Sequence, residues 1–344
     1  MQASTSRTTL MDVARRAGVS TATASRVLGG SRDRVSEPLA ARVHAAAAEL
    51  DYVANPHARA LVRAESTAVA VIVHDLADAY FSEIARGALR VAAADDRLVM
   101  ICDTFRDPGR EVAYLNEMRA QRIHAVLVAG GSNRDPEAGD GARRALAAYR
   151  REGGRVAVMV PGEGHPAAVP DNTAGGVLAA RHLVELGHRS FGVISGPSHL
   201  SSVVERLAGF DSALLDAGLA PSVVVGSDFT RGGGAEAAET LVGRSEDVTA
   251  VLALNDLMAA GAIRRLAQMG LSVPADISVM GFDDIPMAAD FHPGLTTIRV
   301  PMEEIGAEAM RLALTSLPGV EDHRRTVFDT ELVVRSSTGP AAVR

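Results

Sequence analysis

Apolar positions recur along the chain with two different periods, and the change of period falls near residue 68. Over the first fifty residues the spacing is helical. Leu10, Val13, Ala14 and Ala17 mark a first helix over 10–17, with Thr9 placed to cap it and Gly18 to end it. Val19 links it to a second helix over 21–28, capped by Ser20 and stopped by Gly29-Gly30. After a polar loop, Ser36 caps a third pattern running from Glu37 to about Leu50. Val27, Leu28, Val43 and Leu50 share the inward spacing, so the three helices are expected to close around one small core.

Residues 51–65 read as a boundary. Asn55-Pro56 starts a new turn, and 57–62 suffices for about one and a half helical turns, a length that is marginal in isolation. From Ala68 the pattern changes to short, β-branched apolar runs at 68–73, 98–102, 125–129, 156–160, 191–195, 223–225, 250–254 and 277–282. They alternate with amphipathic helical patterns such as 81–94, 175–186, 204–216, 234–242 and 256–269. Continuous apolar strands alternating with helices predict parallel sheets covered on both faces. Eight such units are too many for one open sheet. Two α/β lobes are expected, with a ligand cleft beyond the carboxyl ends of the strands.

A length of 344 residues fits a small module plus one or two larger lobes, and 47% hydrophobic residues can fill their cores. No window approaches 18 uninterrupted apolar residues and residues 1–9 are polar, so a soluble protein that stays in the cytoplasm, away from membranes, is expected. The single cysteine, Cys102, excludes an internal disulfide and a cysteine-cluster metal site, and its apolar run predicts core packing. Residues 1–65 carry nine Arg against six acidic residues, net +3, whereas the remainder carries 26 Arg against 36, net −10. The basic end is where a polyanion would dock. All the Lys+Arg positions are Arg, but this holds over the whole chain and so reflects coding composition rather than docking.

The second helix carries the most specific chemistry. Thr21, Ala22, Thr23, Ser25 and Arg26 give it an outward face of small, hydrogen-bonding groups with one guanidinium, and nothing bulky to block entry into a DNA major groove. Arg26 can pair with guanine O6 and N7, while Thr21 and Ala22 can touch base edges or a thymine methyl. Thr9, Ser20, Thr23 and Ser25 can bond phosphates, helped by N–H groups at the helix N-termini. The competing reading is a generic helical hairpin with its hydroxyls capping or solvated; for Ser20, capping is the main role either way.

The run Thr9-Leu10-Met11-Asp12-Val13-Ala14-Arg15-Arg16-Ala17-Gly18-Val19-Ser20-Thr21-Ala22-Thr23-Ala24-Ser25-Arg26-Val27-Leu28 closely resembles the DNA-reading module of the LacI-type (lactose/galactose repressor) family. The likeness continues through 48–56, 58–61, 182–189, Ser195-Gly196-Pro197, 206–210, Asn255-Asp256, 276–284 and 295–298, in the family's order and spacing. It implies an N-terminal helix-turn-helix module with a hinge, followed by an α/β two-lobed sensor of periplasmic-binding-protein type. The implied division is a DNA-binding domain at 1–65 with its hinge at 55–63, and an effector-binding domain at 66–344. Within the latter, lobe 1 is expected at about 66–168 plus 299–325 and lobe 2 at about 169–298 plus 326–340.

The function implied is a transcriptional regulator, a repressor, that binds a double-stranded DNA operator under the control of a small molecule. In the family the positions matching Thr21, Ala22 and Arg26 read bases, and the segment matching 58–62 forms a hinge helix on DNA. The leucine at the Leu61 position enters the minor groove, where an apolar wedge unstacks a base step and bends the duplex. Asn55 and Ala58 belong to the same DNA-binding set. One recognition helix sees too few bases to specify a genomic address, so a homodimer on a pseudo-palindromic site is expected. No leucine-heptad tail follows the last family element, so tail-mediated tetramers are not expected.

The resemblance also assigns effector contacts to Tyr80 and Phe81 after the first strand, Arg206 at the head of a lobe 2 helix, Phe229 after a later strand, Asn255 at the end of another, and Asp283 after Gly281-Phe282. This set suits a carbohydrate or another polyol: Arg, Asp and Asn can hold adjacent hydroxyls while the rings pack an apolar face. Many family members have Asn-Pro before the aromatic pair where this chain has Asp78-Ala79; Asp78 reads either as an added hydroxyl acceptor or, by preference, as a solvated loop charge.

Other motifs are weaker. Gly232-Gly233-Gly234 lacks the Gly-Lys-Ser/Thr of a phosphate loop, and Ser195-Gly196-Pro197 lacks a nucleophile elbow. The ten His lack paired ligand spacing, and His182 and His188 read as capping or surface groups at a helix end. Neither a cofactor nor a metal is expected. An enzyme with an appended DNA module would need a nucleophile or acid/base pair, and the sequence supplies only binding chemistry. A binding protein without a DNA role is opposed by residues 9–28 and by the charge asymmetry.

Overall fold

The computed structural model describes residues 8–29, 35–53, 67–130, 136–160, 164–219, 223–245 and 247–341. The chain divides into two units, Met1–Thr67 and Ala68–Arg344. The first contains α1 (Leu10–Ala17), α2 (Thr21–Leu28) and α3 (Glu37–Glu49). Thr9 caps α1 reciprocally: its Oγ1 accepts from Asp12 N at 3.3 Å, while the Asp12 carboxylate accepts from Thr9 N at 3.0 Å. Hydrogen bonds from Thr9 hold the Asp12 carboxyl below the usual carboxylate range. Gly18, at φ 67, ends α1 in the left-handed conformation that a side chain would resist. Ser36 precedes α3 without making a side-chain cap bond, and Pro38 occupies the first turn.

Val13 and Val43 are fully buried between these helices, with Ala14, Ala17, Ala24, Val27, Ala46 and Ala47 around them. Leu10, Leu28 and Leu50 are only partly buried. The core is smaller and richer in alanine than the leucine spacing suggests, which lets three short helices approach closely. The expected hinge, with Asn55, Ala58 and Leu61, lies outside the described residues.

The second unit opens with β1 (Val69–Val73), α4 (Ala79–Ala94), β2 (Val99–Asp103), α5 (Pro108–Ala120), β3 (Ala125–Ala129), α6 (Pro136–Arg151), β4 (Arg155–Val158) and β5 (Ala167–Pro170). It continues with α7 (Asn172–Glu185), β6 (Phe191–Ser195), α8 (Ser201–Asp216), β7 (Val223–Gly226), α9 (Arg231–Arg244), β8 (Ala250–Ala253), α10 (Asp256–Gln268) and β9 (Ser278–Met280). It closes with β10 (Thr297–Arg299), α11 (Met302–Thr315), β11 (Arg325–Phe328) and β12 (Glu331–Val333).

Two parallel sheets result, as the alternation predicts. Lobe 1 has the order β11-β5-β4-β3-β1-β2 and lobe 2 the order β7-β6-β8-β9. β1 is buried at every residue, with Val69 opposite Val99 on one side and Ala125 on the other. β10 and β12 pair antiparallel as a separate two-stranded sheet, and the chain leaves the lobe 1 sheet after β5 and returns to it at β11. Because β11 pairs with β5, residues 326–328 belong to the sheet of lobe 1 rather than to lobe 2.

Some side chains sit differently from expectation. Cys102 lies on β2, the edge strand of its sheet, half-buried and packed against the core of lobe 1; burial pushes its thiol up. His182 and His188 are buried, not surface groups: they hydrogen-bond Thr338 Oγ1 at 2.9 Å and Gly339 O at 3.0 Å, tying the C-terminal segment to lobe 2. Burial lowers the pKa of both, so they hold the tail as neutral rings.

Candidate functional site

On the recognition module, α2 turns Ala24 and Val27 inward and leaves Thr21, Ala22 and Arg26 exposed. Arg26 Nε donates to Ala22 O at 3.2 Å, which lays the side chain along the exposed face. The hydroxyls expected to meet phosphate are already partly engaged. Ser20 Oγ accepts from Thr23 N at 3.1 Å and lies 2.8 Å from Thr23 Oγ1, and Thr9 Oγ1 donates to Asp12 at 2.6 Å. Ser25 is half-buried beside them. Thr21, Ala22 and Arg26 are the exposed members of this set on α2, with Arg26 held only to the backbone of its own helix.

In the sensor unit, all six side chains singled out from the sequence line one cleft between the two lobes, which holds about 720 Å3 of empty space with its solvent-filled mouth included. Tyr80 and Phe81 come from the start of α4, where their rings pack edge to face at 5.2 Å. Phe229 faces them from lobe 2 on a left-handed backbone, φ 66, and Asp283 sits at φ 117. Such conformations cost energy for side-chain-bearing residues and persist only where the surroundings fix them. Here Asp283 N donates to Ile298 O at 2.8 Å, and Asp283 O accepts from Val300 N at 3.1 Å.

Arg206 is the fixed point of the cleft. It lies in the second turn of α8 rather than at its head, because the helix begins at Ser201. Its guanidinium donates to Asn172 Oδ1 at 3.0 Å, to Leu254 O at 2.5 Å and to Asp283 Oδ1 at 2.8 Å, and it stacks 3.9 Å from the Phe282 ring centroid. α8 reaches this position because it packs tightly on α7: a methyl added at Gly176 would fall on Arg206 O, and one at Gly209 on Thr173 O. Asn255 is less available than expected, since Oδ1 caps α10 by accepting from Met258 N at 2.8 Å and Nδ2 donates to Phe229 O at 3.2 Å. It positions Phe229.

The electrostatics follow from burial. Desolvation pushes Asp283 up to about 7; Arg206 pulls it down, and Asp78 pushes it further up. Next to it, Asp256 is raised well above the ordinary carboxylate value by complete burial and by Asp283, while accepting from Thr297 Oγ1 and Ile285 N. The Tyr80 phenol is raised by burial, so it stays a neutral donor.

Several cleft residues escaped the sequence reading. Asp78 is buried, not a solvated loop charge: it caps α4 by accepting from Tyr80 N at 3.1 Å and sits 3.4 Å from Arg106. An acidic residue directly before a helical pattern was the signal for that cap. Asn172, Glu205, Arg106 and His74 also line the cleft, and no short motif marks them. Among the described residues, no group of His, Cys, Asp and Glu could hold a metal ion.

Comparison with known proteins places both units of the chain in known families. Residues 9–55 match the family model of bacterial regulatory proteins, lacI family, and residues 180–338 match that of the periplasmic binding protein-like domain. The transcriptional repressor CytR of Escherichia coli is 35% identical over 339 residues, 96% of each chain. The chain belongs to the lacI family of bacterial regulatory proteins. The HTH-type transcriptional regulator GalR of Escherichia coli is 32% identical over 96% of this chain and 95% of its own. The lac repressor dimer bound to operator and the anti-inducer ONPF superposes with a TM-score of 0.83 at 27% identity, covering 97% of this chain and 100% of that one. The complex of the regulator CelR with cellobiose gives 0.68 at 30% identity, over 96% of this chain and all of that one. This lacI-family chain is a DNA-binding transcriptional regulator. No helix among its described residues is long and apolar enough to cross a membrane.

Proposed function

We propose that this regulator is a cytoplasmic repressor that binds a pseudo-palindromic operator as a homodimer and changes its operator affinity when a sugar or sugar derivative occupies the sensor cleft. Thr21, Ala22 and Arg26 read base edges, with Thr9, Ser20, Thr23 and Ser25 on phosphates and Asn55, Ala58 and Leu61 contributing from the hinge. In the cleft, Arg206 and Asp283 bind adjacent hydroxyls, Tyr80, Phe81 and Phe229 pack the apolar face, and Asn255 holds Phe229 in place.

The observation that carries this reading is Arg206 itself, a buried cation with three acceptors at the base of a cleft lined by both lobes. A ligand that touches both walls binds one lobe arrangement better than another, and that difference in affinity is the whole of its leverage on DNA. The carboxyl groups of the site are tied to Arg, amide or backbone partners, an arrangement that suits binding of hydroxyls. The relatives support the reading, since CytR is a repressor and CelR was solved with cellobiose. The test is a gel shift on the upstream region of its own gene, with and without sugars found by a thermal-shift screen. Absence of a specific shift would refute the DNA reading, and a shift that no sugar alters would refute the effector reading.

A further inference from the structure

The charges that line the cleft restrict what it can hold. On the lobe 1 wall Arg106 is shared between Asp75 and Asp78, each 3.4 Å away, so one cation faces two carboxylates. Asp228 of lobe 2 also lies in the field of Arg106. His74 is matched by Glu111 at 3.7 Å. On the lobe 2 wall Arg206 is matched by Asp283, while Glu205 accepts from the Asn172 amide at 2.9 Å rather than from a cation. The described lining therefore sets Asp78, Glu205 and Asp283 against Arg106 and Arg206, with both guanidiniums already committed to acceptors. The three carboxylates line the same cleft as the Tyr80 ring.

From this arrangement we propose that the cleft selects an unphosphorylated, hydroxyl-rich effector, a free sugar or a nucleoside, and rejects the phosphate ester of the same compound, with Asp78 setting the discrimination. The inference rests on the reading of the cleft as the effector site. A hydroxyl donates to Asp78, Glu205 or Asp283 and satisfies a buried acceptor. A phosphate monoester brings about −1.5 to −2 charges near neutral pH into a confined site whose lining holds more carboxyl groups than guanidinium groups. It would have to take a guanidinium from its present carboxylate and leave that carboxylate buried and unpaired. Asp78 sets the balance because it lies 3.4 Å from Arg106 and lines the same cleft as Asp283. In Asp78→Asn the amide oxygen can still cap α4, while Arg106 and Asp75 become a one-to-one pair.

The experiment is isothermal titration of the full chain with ribose, galactose, cytidine and adenosine, each beside its phosphate monoester, so that the arms separate sugar from nucleoside. For the compound that binds, the monoester is expected to bind at least about tenfold more weakly. Asp78→Asn is expected to narrow that gap by raising the affinity of the ester, and Glu205→Gln, on the opposite wall, to do the same without touching a helix cap. An ester that binds wild type as tightly as the free compound, or a gap unchanged in both variants with circular dichroism intact, would overturn the inference. That result leaves the effector reading standing. If no member of any pair binds, the effector reading itself is refuted, and the inference goes with it.

Discussion

Arg206 Nη2 lies 2.8 Å from Asp283 Oδ1, with side-chain exposures of 4% and 5%, so this contact is held out of water at the base of the cleft. Removing one partner of such a pair leaves an uncompensated buried charge, which is why Arg206 has three acceptors rather than one. Burial still dominates on the carboxyl side, and Asp283 titrates near 7 with Arg206 pulling down and Asp78 pushing up.

A pH dependence of effector binding follows. Below 7 Asp283 gains a proton and loses acceptor capacity, so effector affinity is expected to rise as pH increases from about 6 to about 8. In the unliganded sensor the sign is opposite. The native value lies above the unfolded one, so this group's contribution to stability is full below about 4 and is lost as pH rises toward 7. Asp78 and Asp256 are also raised, so the control is Asp283→Asn, which should flatten that part of the profile belonging to this residue. Titration calorimetry at several pH values checks it; an unchanged wild-type affinity across the range contradicts it.

The close packing of α7 on α8 supports the site from behind. Gly176→Ala puts a methyl on the Arg206 carbonyl, a backbone atom that cannot step aside. The expected cost is about 1–3 kcal/mol of sensor stability, with weaker effector binding as Arg206 shifts away from Asp283. Thermal unfolding and calorimetry on one sample check both. A variant with wild-type stability and affinity would show that the helices separate freely.

On the recognition helix, Arg26→Ala is expected to cost roughly 1–3 kcal/mol on the cognate operator and to relax preference at one base pair in each half-site. Anisotropy titrations with a panel of single-base operator variants measure this directly. Equal losses on cognate and scrambled DNA would place Arg26 on phosphate instead.

Much of this was legible from local signals. Thr9, Gly18 and Ser20 mark their helix ends because caps and left-handed turns are satisfied within a few residues, and the buried strands declare themselves as unbroken apolar runs such as 69–73 and 125–129. The six cleft residues taken from the resemblance do converge, although Arg206 lies a turn into its helix and Asn255 is spent on capping. What the sequence hid depends on contacts distant along the chain. Asp78 is buried because Arg106 meets it from 28 positions away, and His188 because Gly339 folds back over it. β5 and β11, four residues each, are too short to show a period, yet their pairing fixes which lobe receives 326–328.

The central claim is that occupancy of the cleft by way of Arg206 and Asp283 controls operator binding by a separate recognition module. It is tested most directly by titrating fluorescent operator DNA with wild type and with Asp283→Asn, each with and without the effector found by screening. The account predicts equal operator affinity for the two proteins in the absence of effector, and an effector response at least about tenfold weaker in the variant, about 1.4 kcal/mol. An Asp283→Asn protein that binds operator normally and still responds to effector at wild-type concentrations would contradict it.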